Sequence, residues 1–231
     1  MNSEKIVYGA SYHGTLFGAE AGTRKPAVLI LPDAWGCTQF TLAKAQQTAE
    51  LGYVALAGDP YGEGYVCTDL DEAGGRATAL STDPERMLAI IGAGFAALRA
   101  RPEVDGERLA VMGFCMGGMM AINTARAGID CRAIVSYHGL LNPVVPLAPI
   151  TARMLVCNGA DDPLVTMEDI ARFQAEMTAA KADCQFVNYT GAGHSFTRPD
   201  ASVRPGFGYH AQTDARSWAL TTSFLHECFD Y

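Results

Sequence analysis

Residues 109–121 constrain the fold of this chain more than any other stretch. An apolar run ends in a Gly-x-Cys-x-Gly sequence, centred on Cys115, and a small, apolar, helix-forming segment follows at once. This pattern is typical of a nucleophile elbow, in which a buried strand turns sharply into a helix and presents a reactive side chain at the turn. Gly113 and Gly117 have no Cβ, so strand and helix can close tightly. The pattern predicts a strained Cys115 with an exposed sulfur.

The segment after the elbow predicts a helix from Met116 to about residue 127. Its N-terminus would point at the sulfur of Cys115, where the positive end of the helix dipole favours a thiolate and a developing oxyanion. The alternative is that Cys115 is a small core residue, because free cysteine is among the most buried residue types. An acid and a histidine in suitable positions would decide between these interpretations.

Composition indicates one globular domain, residues 1–231, because 49% of the residues are apolar and only 18% are charged. The net charge of −8, with no cluster of lysine or arginine, argues against nucleic acid and anionic membranes as partners. No signal peptide or transmembrane helix is expected. The seven cysteines contain no C-x-x-C pair, which favours a cytoplasmic protein with mostly buried thiols and no zinc site. We expect a monomer, with a dimer also possible.

Apolar runs and helical patterns alternate along most of the chain, which predicts a single-domain α/β protein, and the elbow pattern at Cys115 is typical of the α/β-hydrolase fold. We expect a mostly parallel, doubly wound sheet of about 7–8 strands with helices on both faces. An N-terminal hairpin is predicted with its turn at His13-Gly14, and a second turn over residues 103–107. Residues 62–82 are predicted to form one long Gly-rich loop, of the kind that often acts as a lid or a mobile segment.

The candidate acid and histidine follow two later strands, in the order nucleophile, acid, histidine that α/β-hydrolases use. Asp162 is favoured over Asp161 because it precedes Pro163, whose fixed φ stiffens the loop. Asp161 is better described as a turn acid that caps the next helix. His194 lies in a Gly-rich loop directly after a strand and would take the thiol proton, while Asp162 fixes its tautomer. A solvated loop histidine is the alternative.

The sequence resembles the dienelactone hydrolase family over nearly its whole length, on the motifs at residues 113–118, 159–162 and 192–198. The resemblance implies a Cys115–His194–Asp162 triad. It also implies an oxyanion hole formed by the N–H groups of Met116 and Ala34. The family has a glutamate that hydrogen-bonds the resting thiol and swings away when substrate binds, and its position here is Asp33, one methylene shorter.

The same resemblance bears on the substrate, because the family's dienelactone enzymes hold a substrate carboxylate with two arginines. Arg198 matches one of them, whereas Glu63 falls near the other and would repel a carboxylate. Arg76 could compensate, but nothing in the sequence places it. Substrate-binding residues are expected to include Arg198 and Glu63 together with Trp35, Tyr137, His138 and Phe196.

We therefore expect a cofactor-free, metal-free hydrolase whose partner is a small-molecule ester or lactone, acting through a thioester on Cys115. Dienelactone hydrolysis is one option, and a neutral ester fits Glu63 better. The activated thiolate could also accept other esters, including phosphotriesters. Two other classes stay open: a redox-sensing thiol protein, weakened because no resolving cysteine lies nearby in sequence, and a non-catalytic binding module.

Overall fold

The computed structural model describes residues 2–230, which form eight strands and six helices. The strands are β1 (Ser3–Tyr8), β2 (Tyr12–Phe17), β3 (Lys25–Leu31), β4 (Val54–Ala57), β5 (Val104–Phe114), β6 (Ala133–Tyr137), β7 (Arg153–Gly159) and β8 (Cys184–Tyr189). The helices are α1 (Gln39–Glu50), α2 (Leu70–Ser81), α3 (Pro84–Arg99), α4 (Met116–Arg126), α5 (Met167–Ala179) and α6 (Ala211–Asp230). Strands and helices mostly alternate after the N-terminal hairpin, as the sequence predicts, and the exceptions are α2 followed by α3 and β6 followed by β7.

The chain divides into two compact units, and the first ends at Met112. In this unit β1 pairs antiparallel with β2, β2 pairs antiparallel with β4, and β4 pairs parallel with β3. Residues 27–31 of β3 and all four residues of β4 are buried. Their continuous apolar runs follow from this burial, because a parallel strand covered on both faces has no solvent side for polar residues.

The second unit begins at Gly113, so that β5 crosses the boundary between the two units. Here β6, β7 and β8 pair side by side in parallel. The register places Gly159, the last residue of β7, opposite Tyr189, the last residue of β8. The loops that follow these two strands therefore start at the same edge of the sheet, where α/β proteins collect their functional groups.

The start of α5 follows a known capping rule. Thr166 caps α5, and its side chain exchanges hydrogen bonds with Asp169 in a capping box. Asp161 therefore does not cap this helix, and the capping alternative for Asp161 is wrong. None of the six helices formed by residues 2–230 has the length and apolar character needed to span a bilayer.

The structure corrects two of the predicted turns. His13 lies within β2, opposite Val7 of β1, and the hairpin turn lies at residues 9–11, where Gly9 adopts φ +57°. Glycine tolerates this left-handed conformation. The chain has glycines at both positions 9 and 14, so glycine alone does not locate the turn. The second predicted turn, residues 103–107, belongs almost entirely to β5, which begins at Val104.

The predicted loop over residues 62–82 is also partly wrong, because its second half forms α2. The Asp69 carboxylate caps the helix by accepting the N–H of Glu72 at 2.8 Å. Glu72 accepts the N–H of Thr68 at 3.0 Å and pairs with Arg76 one turn later at 3.2 Å. Two adjacent glycines in the middle of the helix hid this pattern, since glycine is a poor helix former.

Substituting Gly74 by alanine will raise the free energy of unfolding by about 0.5–1 kcal/mol, since Gly74 is exposed within α2 and an added Cβ meets nothing within 4 Å. Gly94 in α3 is the control, because its added Cβ would lie 2.7 Å from Leu29 Cδ2. Gly94→Ala should therefore destabilise. Urea denaturation of both variants checks the pair, and a less stable Gly74→Ala would show that α2 is not a regular helix.

Candidate active site

Cys115 stands alone between the end of β5 and the start of α4. It adopts φ 53° and ψ −113°, an uncommon backbone conformation for a residue with a side chain. A Cβ on Gly113 would lie 1.9 Å from the carbonyl oxygen of Gly117, so only glycine allows the strand and the helix to approach this closely. Cys115 is partly exposed, in the strained turn position that the sequence predicts.

Cys115, His194 and Asp162 form one hydrogen-bonded chain. Nε2 of His194 lies 3.1 Å from Sγ of Cys115, and Nδ1 of His194 lies 2.7 Å from Oδ2 of Asp162. Asp162 and His194 are both buried, whereas Asp161 is exposed and donates its backbone N–H to Ala192. The structure therefore brings Asp162, and not Asp161, to the histidine.

The loop after β7 orients the Asp162 carboxylate. Its second oxygen, Oδ1, accepts the N–H of Leu164 at 2.8 Å, and the N–H of Asp162 itself bonds to the carbonyl of Gly159 at 3.2 Å. One oxygen is thus fixed by the backbone and the other faces the histidine. A carboxylate held at both oxygens can fix the tautomer and the orientation of an imidazole ring.

Close backbone packing fixes the loop that carries His194. The N–H of His194 donates to Gly206 at 2.7 Å, and its carbonyl accepts the N–H of Gly208 at 3.0 Å. A Cβ on Gly193 would lie 2.1 Å from the Gly206 oxygen, and one on Gly159 would lie 2.5 Å from the Ala192 oxygen. The glycines beside the acid and the histidine therefore permit the two loops to touch.

The pKa of His194 reflects its two partners. Burial by itself lowers this pKa, but the negative charge of a Cys115 thiolate and the hydrogen bonds to Asp162 and Cys115 outweigh burial and raise it to about 10. The imidazole is therefore protonated at neutral pH. A positive charge therefore lies 3.1 Å from the sulfur of Cys115.

We expect Cys115→Ala to lower the pKa of His194, because the substitution removes the negative charge and one hydrogen bond but keeps the burial. Proton NMR of the imidazole C–H signals measures this pKa, and the signal absent from a His194→Gln variant identifies the residue. In the wild type the signal should titrate near pH 10. An unchanged pKa in Cys115→Ala would mean that the sulfur carries no charge in the resting protein.

Asp33, Ala34 and Trp35 lie just after β3 in the first unit. The Asp33 side chain is buried, and its Oδ1 accepts the N–H of Trp35 at 3.0 Å, which makes a local turn. The carbonyl of Ala34 accepts the hydroxyl of Tyr61 at 2.7 Å. The roles of Asp33 as a gate for the thiol and of Ala34 in an oxyanion hole stay predictions.

A second turn of the first unit presents Glu63, which is exposed and adopts φ 55°. The buried carboxylate of Asp59 organises this turn, because its two oxygens accept four backbone N–H groups at 2.8–2.9 Å, those of His13, Tyr61, Gly62 and Gly64. Sequence reasoning missed Asp59, although its Gly-Asp-Pro-Tyr-Gly context signals a turn.

Two arginines that sequence analysis weighed for substrate binding each have an acidic partner close in sequence. Nε and Nη2 of Arg198 donate to the two carboxylate oxygens of Asp200 at 2.8 and 3.1 Å. Arg76 bonds to Glu72, and its guanidinium also stacks over the ring of Tyr65 at 4.1 Å. Sequence reasoning missed Asp200, although it stands only two residues after Arg198.

Tyr137, His138 and Phe196 are buried within the second unit. The Tyr137 hydroxyl donates to Thr221 Oγ1 of α6 at 2.5 Å, so this hydroxyl has a buried partner inside the protein. Phe196 is fully buried. Nδ1 of His138 lies 3.1 Å from the N–H of Cys115, and its Nε2 lies 2.8 Å from Oγ1 of Thr197. Substrate contact by these three residues stays a prediction, and the structure assigns them internal partners.

A strained cysteine between a strand and a helix, followed in the chain by an acid and a histidine that bond to each other, defines an α/β-hydrolase. Comparison with known protein families and structures leads to the same class. A family model described as the dienelactone hydrolase family matches residues 13–229, and the chain belongs to this family.

Related proteins of known structure or name support this assignment. The solved structure m3DLH is 36% identical with a TM-score of 0.91, over 99% of this chain and 98% of that chain. A dienelactone hydrolase-like promiscuous phosphotriesterase from metagenomic libraries is 34% identical with a TM-score of 0.89, over 99% and 98% of the two chains. Carboxymethylenebutenolidase 2 of Cupriavidus pinatubonensis is 32% identical over 187 residues, 75% of this chain and 74% of that protein. The predicted α/β fold class is confirmed, and the chain is a hydrolase of the ester and lactone class.

Proposed function

We propose that this protein hydrolyses carboxylic esters or lactones with Cys115 as nucleophile, His194 as acid and base, and Asp162 as the group that orients His194. The observation that carries the proposal is the unbroken chain of contacts from Cys115 Sγ to His194 Nε2 and from His194 Nδ1 to Asp162, at 3.1 and 2.7 Å. It supports an activated thiolate, because the base lies within hydrogen-bond reach of the nucleophile and a third group orients the base.

In the first half of the proposed reaction, the Cys115 thiolate attacks the carbonyl carbon and a C–S bond forms. The electron pair of the C=O bond moves onto oxygen, which would meet the backbone N–H group of Met116, in the first turn of α4. Collapse of this tetrahedral species breaks the C–O bond. The leaving alkoxide takes the proton from Nε2 of His194, and a thioester remains.

In the second half, neutral His194 accepts a proton from water at Nε2, and the resulting hydroxide equivalent attacks the thioester carbon. The C–S bond breaks, the acid product leaves, and Cys115 returns as a thiolate beside an imidazolium. Asp162 holds Nδ1–H through Oδ2 in both halves of the reaction, while its other oxygen accepts the N–H of Leu164.

We propose that the preferred substrate is neutral and does not carry a second carboxylate. Two observations support this choice. Nε and Nη2 of Arg198 both donate to the carboxylate of Asp200. A substrate carboxylate would have to compete with Asp200 for these donors. Glu63 adds an exposed negative charge near the position where the family resemblance places the second arginine.

The test is hydrolysis of a neutral p-nitrophenyl ester, a neutral lactone and a carboxylate-bearing dienelactone. Cys115→Ala should be inactive on all three, and Cys184→Ala, which removes another partly exposed thiol, should match the wild type. Mass spectrometry of the acid-quenched wild type should show an acyl group on Cys115. Full activity in Cys115→Ala would refute the cysteine mechanism, and highest activity on the dienelactone would refute the preference for neutral substrates.

A phosphotriester is the second candidate substrate, since one structure with 34% identity belongs to a promiscuous phosphotriesterase. A neutral phosphotriester also has no carboxylate that would compete with Asp200 for Arg198. Turnover that disappears in Cys115→Ala would support this side activity. A wild type that is inactive on every ester while Cys115 still reacts with an alkylating reagent would instead favour the redox-sensing alternative.

We also propose that the protein acts in the cytoplasm on small molecules, as a monomer or, as the alternative, a dimer. All seven cysteines are free thiols, which suits a reducing compartment. Fractionation of cells that express the protein tests its location, and sedimentation tests its mass against 24.6 kDa for one chain.

A further inference from the structure

His138 has an unusual backbone conformation for a buried histidine. It follows β6 directly, adopts φ 39°, and is 2% exposed. Its own N–H donates to the carbonyl of Cys157 at 2.8 Å, which extends the pairing of β6 with β7 by one bond. A left-handed conformation is unfavourable for a residue with a Cβ, and such strain persists where the surrounding structure demands it and clusters at functional sites.

The two ring nitrogens of His138 have different partners, and these determine where its proton lies. Nδ1 lies 3.1 Å from the backbone nitrogen of Cys115, which can only donate, so Nδ1 must be the unprotonated acceptor. The neutral ring then carries its proton on Nε2, which donates to Oγ1 of Thr197 at 2.8 Å. One tautomer alone satisfies both bonds.

The same ring contacts the loop that carries the triad histidine. Thr197 lies three residues after His194, and the rings of His138 and His194 meet edge to face with centroids 5.2 Å apart. Phe196 packs against His138 in the same way at 5.1 Å. His138 therefore connects the backbone of the elbow to the loop that supplies the base.

We propose that His138 is a positioning residue for the nucleophile. As a neutral imidazole protonated on Nε2, it joins the N–H of Cys115 to the Thr197 hydroxyl and so fixes the strained elbow against the His194 loop. The inference rests on the proposed function, in which Cys115 is the nucleophile. It adds a specific requirement, namely that the 3.1 Å separation of Cys115 Sγ and His194 Nε2 depends on a second histidine, whose own ring nitrogens bond to the Cys115 backbone and to Thr197.

The arrangement also bears on the oxyanion. The N–H of Cys115 is shared between Nδ1 of His138 and the carbonyl of Tyr137 at 3.0 Å, so it points into the protein. An oxyanion formed on a substrate carbonyl must then be met by other donors, which agrees with the role proposed for Met116. His138 thus helps to decide which amide of the elbow faces the substrate.

Two substitutions separate the bonds of His138. In His138→Asn the side-chain oxygen can replace Nδ1 and accept the N–H of Cys115, whereas in His138→Gln the longer amide reaches the position of Nε2 and Thr197. We expect His138→Asn to keep kcat within about threefold of the wild type. His138→Gln should lower kcat by about 10- to 100-fold with little change in KM, the size of loss that a small misplacement of a reacting group causes. The alkylation rate of Cys115 by iodoacetamide should fall in parallel.

A second pair of variants avoids any change at the strained backbone. Thr197→Val removes the acceptor for Nε2–H and should slow alkylation of Cys115 severalfold. Thr221→Val removes an equally buried hydroxyl that holds Tyr137 and should leave the alkylation rate unchanged. Equal effects of the two threonine variants, or equal losses in His138→Asn and His138→Gln, would show that His138 only fills space and would overturn the proposal.

Nitrogen NMR of the wild type gives a readout that a space-filling residue would not produce. His138 should show an unprotonated, pyridine-like Nδ1 and a protonated, pyrrole-like Nε2, and the reverse pattern would refute the assignment. Alkylation and NMR do not require ester turnover. If no ester is hydrolysed but His138→Gln still slows alkylation, the proposed function fails while the positioning role stands.

Discussion

Substituting Asp162 by asparagine will lower kcat for a p-nitrophenyl ester by about two to four orders of magnitude. An amide can present its NH₂ group to Nδ1 of His194, which stabilises the wrong tautomer and leaves no proton acceptor for the imidazolium. The 2.7 Å contact between Asp162 Oδ2 and His194 Nδ1 is the bond concerned. Steady-state kinetics at neutral pH measures the loss, and KM should change little because Asp162 does not face the substrate.

Asp161→Asn is the matched control, since it changes the adjacent residue in the same loop. Asp161 is exposed, and the structure gives its backbone N–H, not its side chain, a partner across the loop. We expect kcat within about twofold of the wild type. Equal losses in the two variants would mean that the loop as a whole was disturbed, and activity retained in Asp162→Asn would remove the carboxylate from the mechanism.

Substituting Glu176 by glutamine will lower the free energy of unfolding by about 3–5 kcal/mol, because it leaves the buried Arg126 guanidinium without a counter-charge. The Arg126 side chain is fully buried, and the Glu176 side chain is 21% exposed. Nε of Arg126 lies 3.1 Å from Glu176 Oε1, and Nη2 and Nη1 donate to the carbonyls of Leu141 and Asn142. The ion pair therefore joins α4, α5 and the loop after β6.

Two comparisons make this prediction specific. Glu227→Gln removes one partner of Arg153, which is partly exposed, and should change stability by no more than about 1 kcal/mol. The double variant Arg126→Met/Glu176→Leu should recover most of the stability lost in Glu176→Gln, since removing both charges leaves none buried alone. Guanidinium denaturation measures all three. A Glu176→Gln variant as stable as Glu227→Gln would contradict the prediction.

The features that sequence predicted well are those that short patterns encode. The buried strands appear as apolar runs, and the Gly-x-Cys-x-Gly sequence requires a tight turn because a Cβ on Gly113 would overlap the backbone of Gly117. Pro163 gave a local reason to prefer Asp162 to Asp161. Each of these inferences concerns residues that are close together in the chain, where steric limits on the backbone determine the conformation.

The features that sequence did not predict depend on partners that no short pattern specifies. The buried ion pair of Arg126 joins residues 50 positions apart, and a single arginine at the end of an apolar helix gives no sign that it is buried. His138 appears in the sequence as a polar residue after a strand, which suggests contact with substrate. Its bonds to Cys115 and Thr197 exist only because three loops meet.

Short-range pairing was missed for a different reason. Asp200 and Arg198 are two residues apart, whereas the family resemblance implies a substrate carboxylate as the partner of Arg198. In α2, Gly74 and Gly75 weaken the helical pattern, whereas the cap at Asp69 and the pair between Glu72 and Arg76 support it. The spacing of Asp69 and Glu72 is a capping signal that predicts this helix in spite of the two glycines.

The turn held by Asp59 has a consequence for how enzymes of this kind can diversify. Its shape depends on one carboxylate and on backbone amides, and amides are present whatever side chain a residue carries, except proline. Position 63 can therefore change its chemistry while the turn keeps its form, provided that the new residue tolerates φ 55°, as glycine, asparagine and aspartate do. A library of variants at position 63 that keeps Asp59 unchanged would therefore alter substrate specificity without altering the bonds that stabilise the turn.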